Sequence, residues 1–114
     1  MCDEQLNKTL SEWFGITGKD IESRVYNVNG LKILKLRDIL IETGQICHED
    51  LDKNLYVATI GAGFLRKNIA YMALQLRGNN LVISVAAKEG MIKQKTLMGA
   101  FDELEKRLEK YIEK

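Results

Sequence analysis

Leu6, Leu10, Trp13 and Phe14 recur at i, i+4, i+7 and i+8, so the hydrophobic pattern opens with an amphipathic helix. Asp3 stands where an N-cap belongs, and Gly15 ends the helix with Ile16 placed to contact it from beyond. Residues 23–36, SRVYNVNGLKILKL, alternate on both sides of Asn29-Gly30, a dipeptide suited to a type I′ turn, and predict a β-hairpin. Residues 37–44 read as a short helical turn or loop ending in glycine. Residues 45–54, QICHEDLDKN, read as a polar surface loop or a helix start. Toward the C-terminus, Leu97, Phe101, Leu104, Leu108 and Tyr111 are spaced 4, 3, 4 and 3, predicting a long helix over residues 91–112. Asp102 with Lys106 and Glu103 with Arg107 support it as i, i+4 pairs. Its narrow stripe suits either one face of the domain's own sheet or a seam against a partner helix, which makes these five apolar residues partner-binding candidates.

The stretch over residues 55–87, LYVATIGAGFLRKNIAYMALQLRGNNLVISVAA, admits three readings. In the first, residues 55–60 form a strand, Gly61-Ala62-Gly63 turns, and Leu65, Ile69, Met72 and Leu76 line a helix leading to a second strand, as in a dinucleotide-binding unit. Gly61, Gly63, Arg66 and Lys67 would then surround a nucleotide or phosphate. Arg66 stands where that fingerprint needs its third glycine, and no acid follows the second strand to hold a ribose hydroxyl. In the second reading, Leu51, Leu55, Ala58, Ala62 and Leu65 line a helix containing both glycines, each costing about 1 kcal/mol against alanine. A hairpin over residues 69–76 and 81–87 follows, turning at Arg77-Gly78-Asn79-Asn80. In the third, residues 55–60 are a strand, residues 61–68 a loop, and the rest that same hairpin.

With the second reading, the order becomes helix, strand, Asn-Gly turn, strand, helix, strands, helix. The opening glycine-ended helix, VYNVNGLKIL, and LVISVAAKEG before a long helix then resemble the roadblock, or dynein light-chain, family. The resemblance implies a central antiparallel sheet with helices on both faces, in dimers that bind Ras-like GTPases or act as scaffolds.

At 114 residues and 46% hydrophobic, the chain fits one domain with a real core. No apolar run approaches the roughly 18 residues of a membrane span, and the polar start MCDEQLNKTL is unlike a signal peptide, so a cytoplasmic location without membrane partners is expected. Seventeen basic against 16 acidic residues leave the global field nearly neutral, which argues against a dedicated nucleic-acid binder. Locally, residues 64–95 hold six bases and one acid, whereas residues 38–52 hold five acids and no base. The chain has no proline.

Few residues carry candidate chemistry. Cys47-His48-Glu49-Asp50 contains metal-binding and acid–base types, but adjacent residues point apart and no second cluster exists to meet them. Cys2 lies beside Asp3 and Glu4, which disfavour a reactive thiolate, and both cysteines are expected as free thiols. Gly18-Lys19 lacks the length and the hydroxyl residue of a phosphate loop. Trp13, Phe14 and Phe101 are expected in the core. The sequence thus predicts a single α+β domain: an antiparallel sheet flanked by an N-terminal helix and a long C-terminal helix. It would act without catalysis or cofactor as a homodimeric protein-binding or regulatory module, the alternative being a small nucleotide or phosphate binder.

Overall fold

The most apolar segments of the chain end up as the middle of its sheet. A computed structural model describes residues 4–15, 21–62, 68–86 and 93–112. Its elements, in chain order, are α1 (Glu4–Phe14), β1 (Ile21–Asn27), α2 (Ile33–Thr43), β2 (Gly44–Asp50), β3 (Leu55–Ala62), β4 (Asn68–Arg77), β5 (Asn80–Ala86) and α3 (Lys93–Leu108). The strands pair antiparallel throughout, in the order β1-β5-β4-β3-β2. Strands β2 to β5 form a meander, and β1 closes the far side against β5. In β5 all but the first residue are buried, because helices cover both faces of this inner strand.

Alternation sorts the side chains into two cores. Tyr56, Ala58 and Ile60 of β3, Ala70, Met72, Leu74 and Leu76 of β4, and Leu81, Ile83 and Val85 of β5 point to one face. There they meet Leu36, Ile39 and Leu40 of α2 and Ala100, Phe101, Leu104 and Leu108 of α3. Ala73, Val82 and Ala86 point the other way, toward Leu6 and Leu10 of α1 and Ile21 of β1. The fold is therefore α+β, an antiparallel sheet with α1 on one face and α2 and α3 on the other.

Several sequence expectations hold. Helix α1 ends at Gly15, whose φ of 67° and N–H bonded to the Ser11 carbonyl (2.9 Å) make a left-handed cap. The predicted hairpin of β4 and β5 turns at Gly78, φ 60°. Asp3 and Ile16 lie outside the described residues.

Others need correction. Asn29-Gly30 does not close a hairpin: Gly30 alone takes positive φ, where a type I′ turn needs it at both central positions, and the chain passes into α2. The misleading alternation of LKILKL arises because α2 buries Leu36, Ile39, Leu40 and Thr43 at i, i+3, i+4 and i+7 and leaves Leu34 exposed. Thr43 completes that face as a polar residue by donating its hydroxyl to the Ile39 carbonyl (2.9 Å). Residues 45–50, expected as loop or helix start, belong to β2. The long C-terminal helix is also shorter than expected. It ends at Leu108, where the N–H groups of Tyr111 and Ile112 both bond the Leu108 carbonyl and the chain turns toward β1.

The threefold ambiguity resolves toward strands. Residues 55–62 and 68–77 are extended and pair with each other from Leu55–Gln75 to Ala62–Asn68, so neither a helix through Gly61 nor one over Ile69, Met72 and Leu76 exists.

Candidate functional site

A sheet ends in two edge strands, and each edge is a row of backbone donors and acceptors ready to bind another strand. The two edges here differ. Along β2 the register against β3 shifts between Ile46 and His48, leaving Cys47 as an exposed bulge. Such a bulge twists an edge away from a flat partner. Strand β2 is further occupied by an ion pair of Glu49 with Arg37 of α2 and by the ring of His48, 5.1 Å from that of Trp13.

Strand β1 carries no bulge. Its register on β5 runs unbroken from Ile21–Ala86 to Asn27–Asn80. On the face shared with α1, Val25 is 64% exposed, since α1 packs over β4 and β5 and stops short of it. On the opposite face, Arg24 and Tyr26 reach toward α3. Arg24 Nη1 donates to Glu105 Oε1 (3.1 Å), the Tyr26 hydroxyl donates to the same oxygen, and the guanidinium lies 4.2 Å from the centre of the Phe101 ring. Beyond the end of β1 the C-terminal segment closes the edge: Val28 bridges Ile112, and the Asn29 N–H bonds the Tyr111 carbonyl (2.7 Å).

An open groove of about 540 Å³ flanks this strand, lined by Tyr26, Asp102, Glu105, Lys106, Glu109 and Ile112. Three carboxylates around one ammonium give it negative character. The arrangement can bind and orient a chain segment. Its Glu105 already accepts from two donors, Arg24 and Tyr26.

Burial and hydrogen bonding make Tyr26 sensitive to alkali. Desolvation first, and then its hydrogen bond to Glu105, push the phenol well above its ordinary value, with Arg24 pulling the other way. A folded-state value above the unfolded one gives stability that is complete below about pH 10 and declines as pH rises past it. The Tyr26→Phe variant is expected to show a shallower fall of its urea midpoint between about pH 8 and about pH 11 than the wild type. Identical slopes would contradict that origin. Tyr56, raised by burial and the nearby Glu49 while donating to the Ile33 carbonyl (2.8 Å), accounts for sensitivity that persists in the variant.

The residues singled out from sequence fall in different places. Phe101, Leu104 and Leu108 are fully buried against the sheet, so this part of the apolar stripe of α3 forms core and is not open to a partner helix. Tyr111 packs at the margin of that core. Leu97 lies on α3, with its side chain outside the described residues. Gly61 sits within β3 opposite Ile69. It therefore does not open a helix, and the strand–turn–helix cradle expected around it is not formed. Gly63, Arg66 and Lys67 lie outside the described residues, as do Cys2, Gly18 and Lys19. Among the described residues no three His, Cys, Asp or Glu side chains converge on one point.

No protein-family model, curated protein or solved structure matches this chain.

Trp13 corrects another expectation. It is 46% exposed and leans on His48, whereas Phe14 turns inward onto Tyr71, with ring centres 4.6 Å apart. Among the described residues no helix is long and apolar enough to cross a membrane. The β1 edge was not legible as a site in the sequence. Its only signal was an alternating RVYN whose predicted partner, the strand after Asn29-Gly30, is a helix instead.

Proposed function

We propose that this chain is a small, non-catalytic protein-interaction module that works as a dimer through the β1 edge and the groove beside it. The observation that carries the reading is the contrast between the two edges of one sheet. Strand β2 is bulged at Cys47, while β1 is regular and exposes Val25 at its centre. An unbulged edge bearing an exposed β-branched residue favours strand addition. The adjoining groove gives the side chains of an added strand somewhere to lie. The roadblock resemblance adds nothing to this reading, because the mid-chain helix and the Asn29-Gly30 hairpin on which it was built are a strand and the entry to α2.

The test is sedimentation equilibrium on the wild type and on Val25→Lys, from about 10 µM to about 1 mM, the range suited to a small interface. The wild type is expected to rise from the mass of a monomer toward twice that mass. The lysine variant is expected to remain monomeric with an unchanged melting temperature, because Val25 contributes little to the core. A wild type that stays monomeric across the range overturns the dimeric reading. A Val25→Lys protein that dimerises as well as the wild type places the contact away from this edge.

A further inference from the structure

Helix α2 buries Leu36, Ile39, Leu40 and Thr43, and at about 100° per residue its opposite side falls on Leu34, Asp38 and Ile41. Leu34 is 61% exposed and Ile41 50%, two aliphatic side chains two turns apart on one line. Single exposed apolar residues are ordinary. These two are set apart by the charges around them. Lys32 is the N-cap residue of α2 and Lys35 lies in its first turn, while Asp38 and Glu42 follow toward its end, with no acid in the first turn and no base in the last. A helix dipole favours the reverse, acids at the N-terminus and bases at the C-terminus. Lys35 and Asp38 are exposed and enter no ion pair among the described residues.

We infer that this side of α2 pairs with α2 of a second copy, antiparallel, about a two-fold axis between Arg37 and Asp38. Such an axis sets Leu34 against Ile41 of the other copy, twice over, and opposes the two helix dipoles. The rise of about 1.5 Å per residue fixes the rest. Lys35, Asp38 and Glu42 share one flank of the exposed side. There Lys35 of each copy lies level between Asp38 and Glu42 of the other, about 3 Å along the axis from each. Each half of the helix that is charged against its own dipole therefore meets the opposite charge. The two Asp38 side chains come nearest the axis, each with Lys35 of the other copy beside it. On the other flank the two Arg37 side chains approach, each already paired with Glu49 of its own chain. The inference goes beyond the β1 reading and does not depend on it. Helix α2 packs over β2 and β3, at the end of the sheet away from β1, so both faces can be occupied at once. With two apolar residues per copy, the α2 contact alone is small, with a Kd above about 1 mM. Its effect is to join β1 pairs into larger assemblies, as a second self-complementary face does.

The Val25→Lys chain isolates α2 from the β1 contact and is the protein to test. In its proton–nitrogen correlation spectra, the amides of residues 34–42 are expected to shift progressively between about 0.1 mM and about 2 mM, as a weak pairing requires. Leu34→Lys, at an exposed position that leaves the core untouched, is expected to abolish the shifts. A charge exchange then reads the register. Lys35→Glu makes the shared flank of a pair wholly acidic, and Asp38→Lys with Glu42→Lys makes it wholly basic, so each protein alone is expected to lose the shifts. Mixed, the two alternate acid and base along the whole flank and are expected to associate about tenfold more tightly than the parent. Shifts that persist in either charge variant alone, or a mixture no tighter than the parent, overturn the pairing. Cysteines report the axis independently. With Cys2 and Cys47 changed to serine, Asp38→Cys is expected to oxidise to a covalent dimer, its two Cα atoms lying about 6 Å apart at ordinary helix spacing. Lys35→Cys, with its two Cα atoms about 12 Å apart, is expected not to. Equal cross-linking through both positions overturns the axis. Neither shifts nor cross-links up to about 2 mM discards the α2 contact and leaves the β1 reading standing. A wild type that shows no β1 pairing beside an Asp38→Cys chain that cross-links discards the β1 reading and leaves this one.

Discussion

Replacing Phe101 with alanine is expected to lower the unfolding free energy by about 3–5 kcal/mol, the usual cost of emptying a buried aromatic site. The ring is fully buried in the core that α2 and α3 build on the sheet, and Arg24 covers it from β1. Removing it therefore empties the packing between α3 and the strands and takes away the surface on which Arg24 rests. Urea denaturation reads the loss as a lower midpoint at unchanged slope. Phe101→Glu and Leu108→Glu, which bury an unpaired charge, are expected not to fold. Were α3 instead to offer its stripe to a partner, the alanine variant would fall by less than about 1 kcal/mol in a monomer, as surface changes do.

Gly44→Ala is the second large effect. Gly44 caps α2 by bonding its N–H to the Leu40 carbonyl and starts β2 in the same step, opposite Ile60. Its φ of −167° is extended backbone open to any residue, so torsion is not the obstacle. A Cβ there would fall on the carbonyl oxygen of Thr59, with the Thr59 carbonyl carbon 2.9 Å away and the Ile60 Cα 3.0 Å away. These are backbone atoms of a paired strand and cannot swing aside as a side chain would. The loss is expected at or above the upper end of the usual 1–3 kcal/mol for overpacking. Gly78→Ala is the control. It has open space around it but a φ of 60°, so only the left-handed penalty of about 1–2 kcal/mol applies. Thermal unfolding that ranks the two the other way would contradict the close approach of β2 to β3.

What the sequence disclosed follows from how local each feature is. The Leu6 and Leu10 stripe, the Gly15 cap, the Gly78 hairpin and the apolar run of β5 are determined by near neighbours, and the structure contains all of them. Residues 33–36 were deceptive because four residues of alternation are too few to separate a strand from the first turn of a helix. Strand β2 was hidden for a related reason. An edge strand half in water needs little apolar surface, and its half-buried positions include His48 and Asp50 as well as Ile46. Periodicity in α3 identified the apolar face correctly and was silent on what covers it. Here that is the sheet, so the candidate contacts Phe101, Leu104 and Leu108 became core.

The proposed interface was less visible still. Which strand ends a sheet depends on pairings between distant parts of the chain, such as β1 with β5, and no window around Ile21–Asn27 contains that information. Arg24 and Tyr26 read as any alternating pair until both are known to reach α3 from an edge. Trp13 has the same character. Its place in the helical stripe predicted burial, yet the breadth of the sheet lets Phe14 take the inward position and leaves Trp13 beside His48.

Backbone amide hydrogen exchange, followed residue by residue in dilute and in concentrated protein, tests the central claim most directly. If β1 is the contact, amides of Ile21–Asn27 gain protection as concentration rises, while those of β2 stay as they were. Protection gained along β2, or none gained along β1 while the protein dimerises, would contradict it.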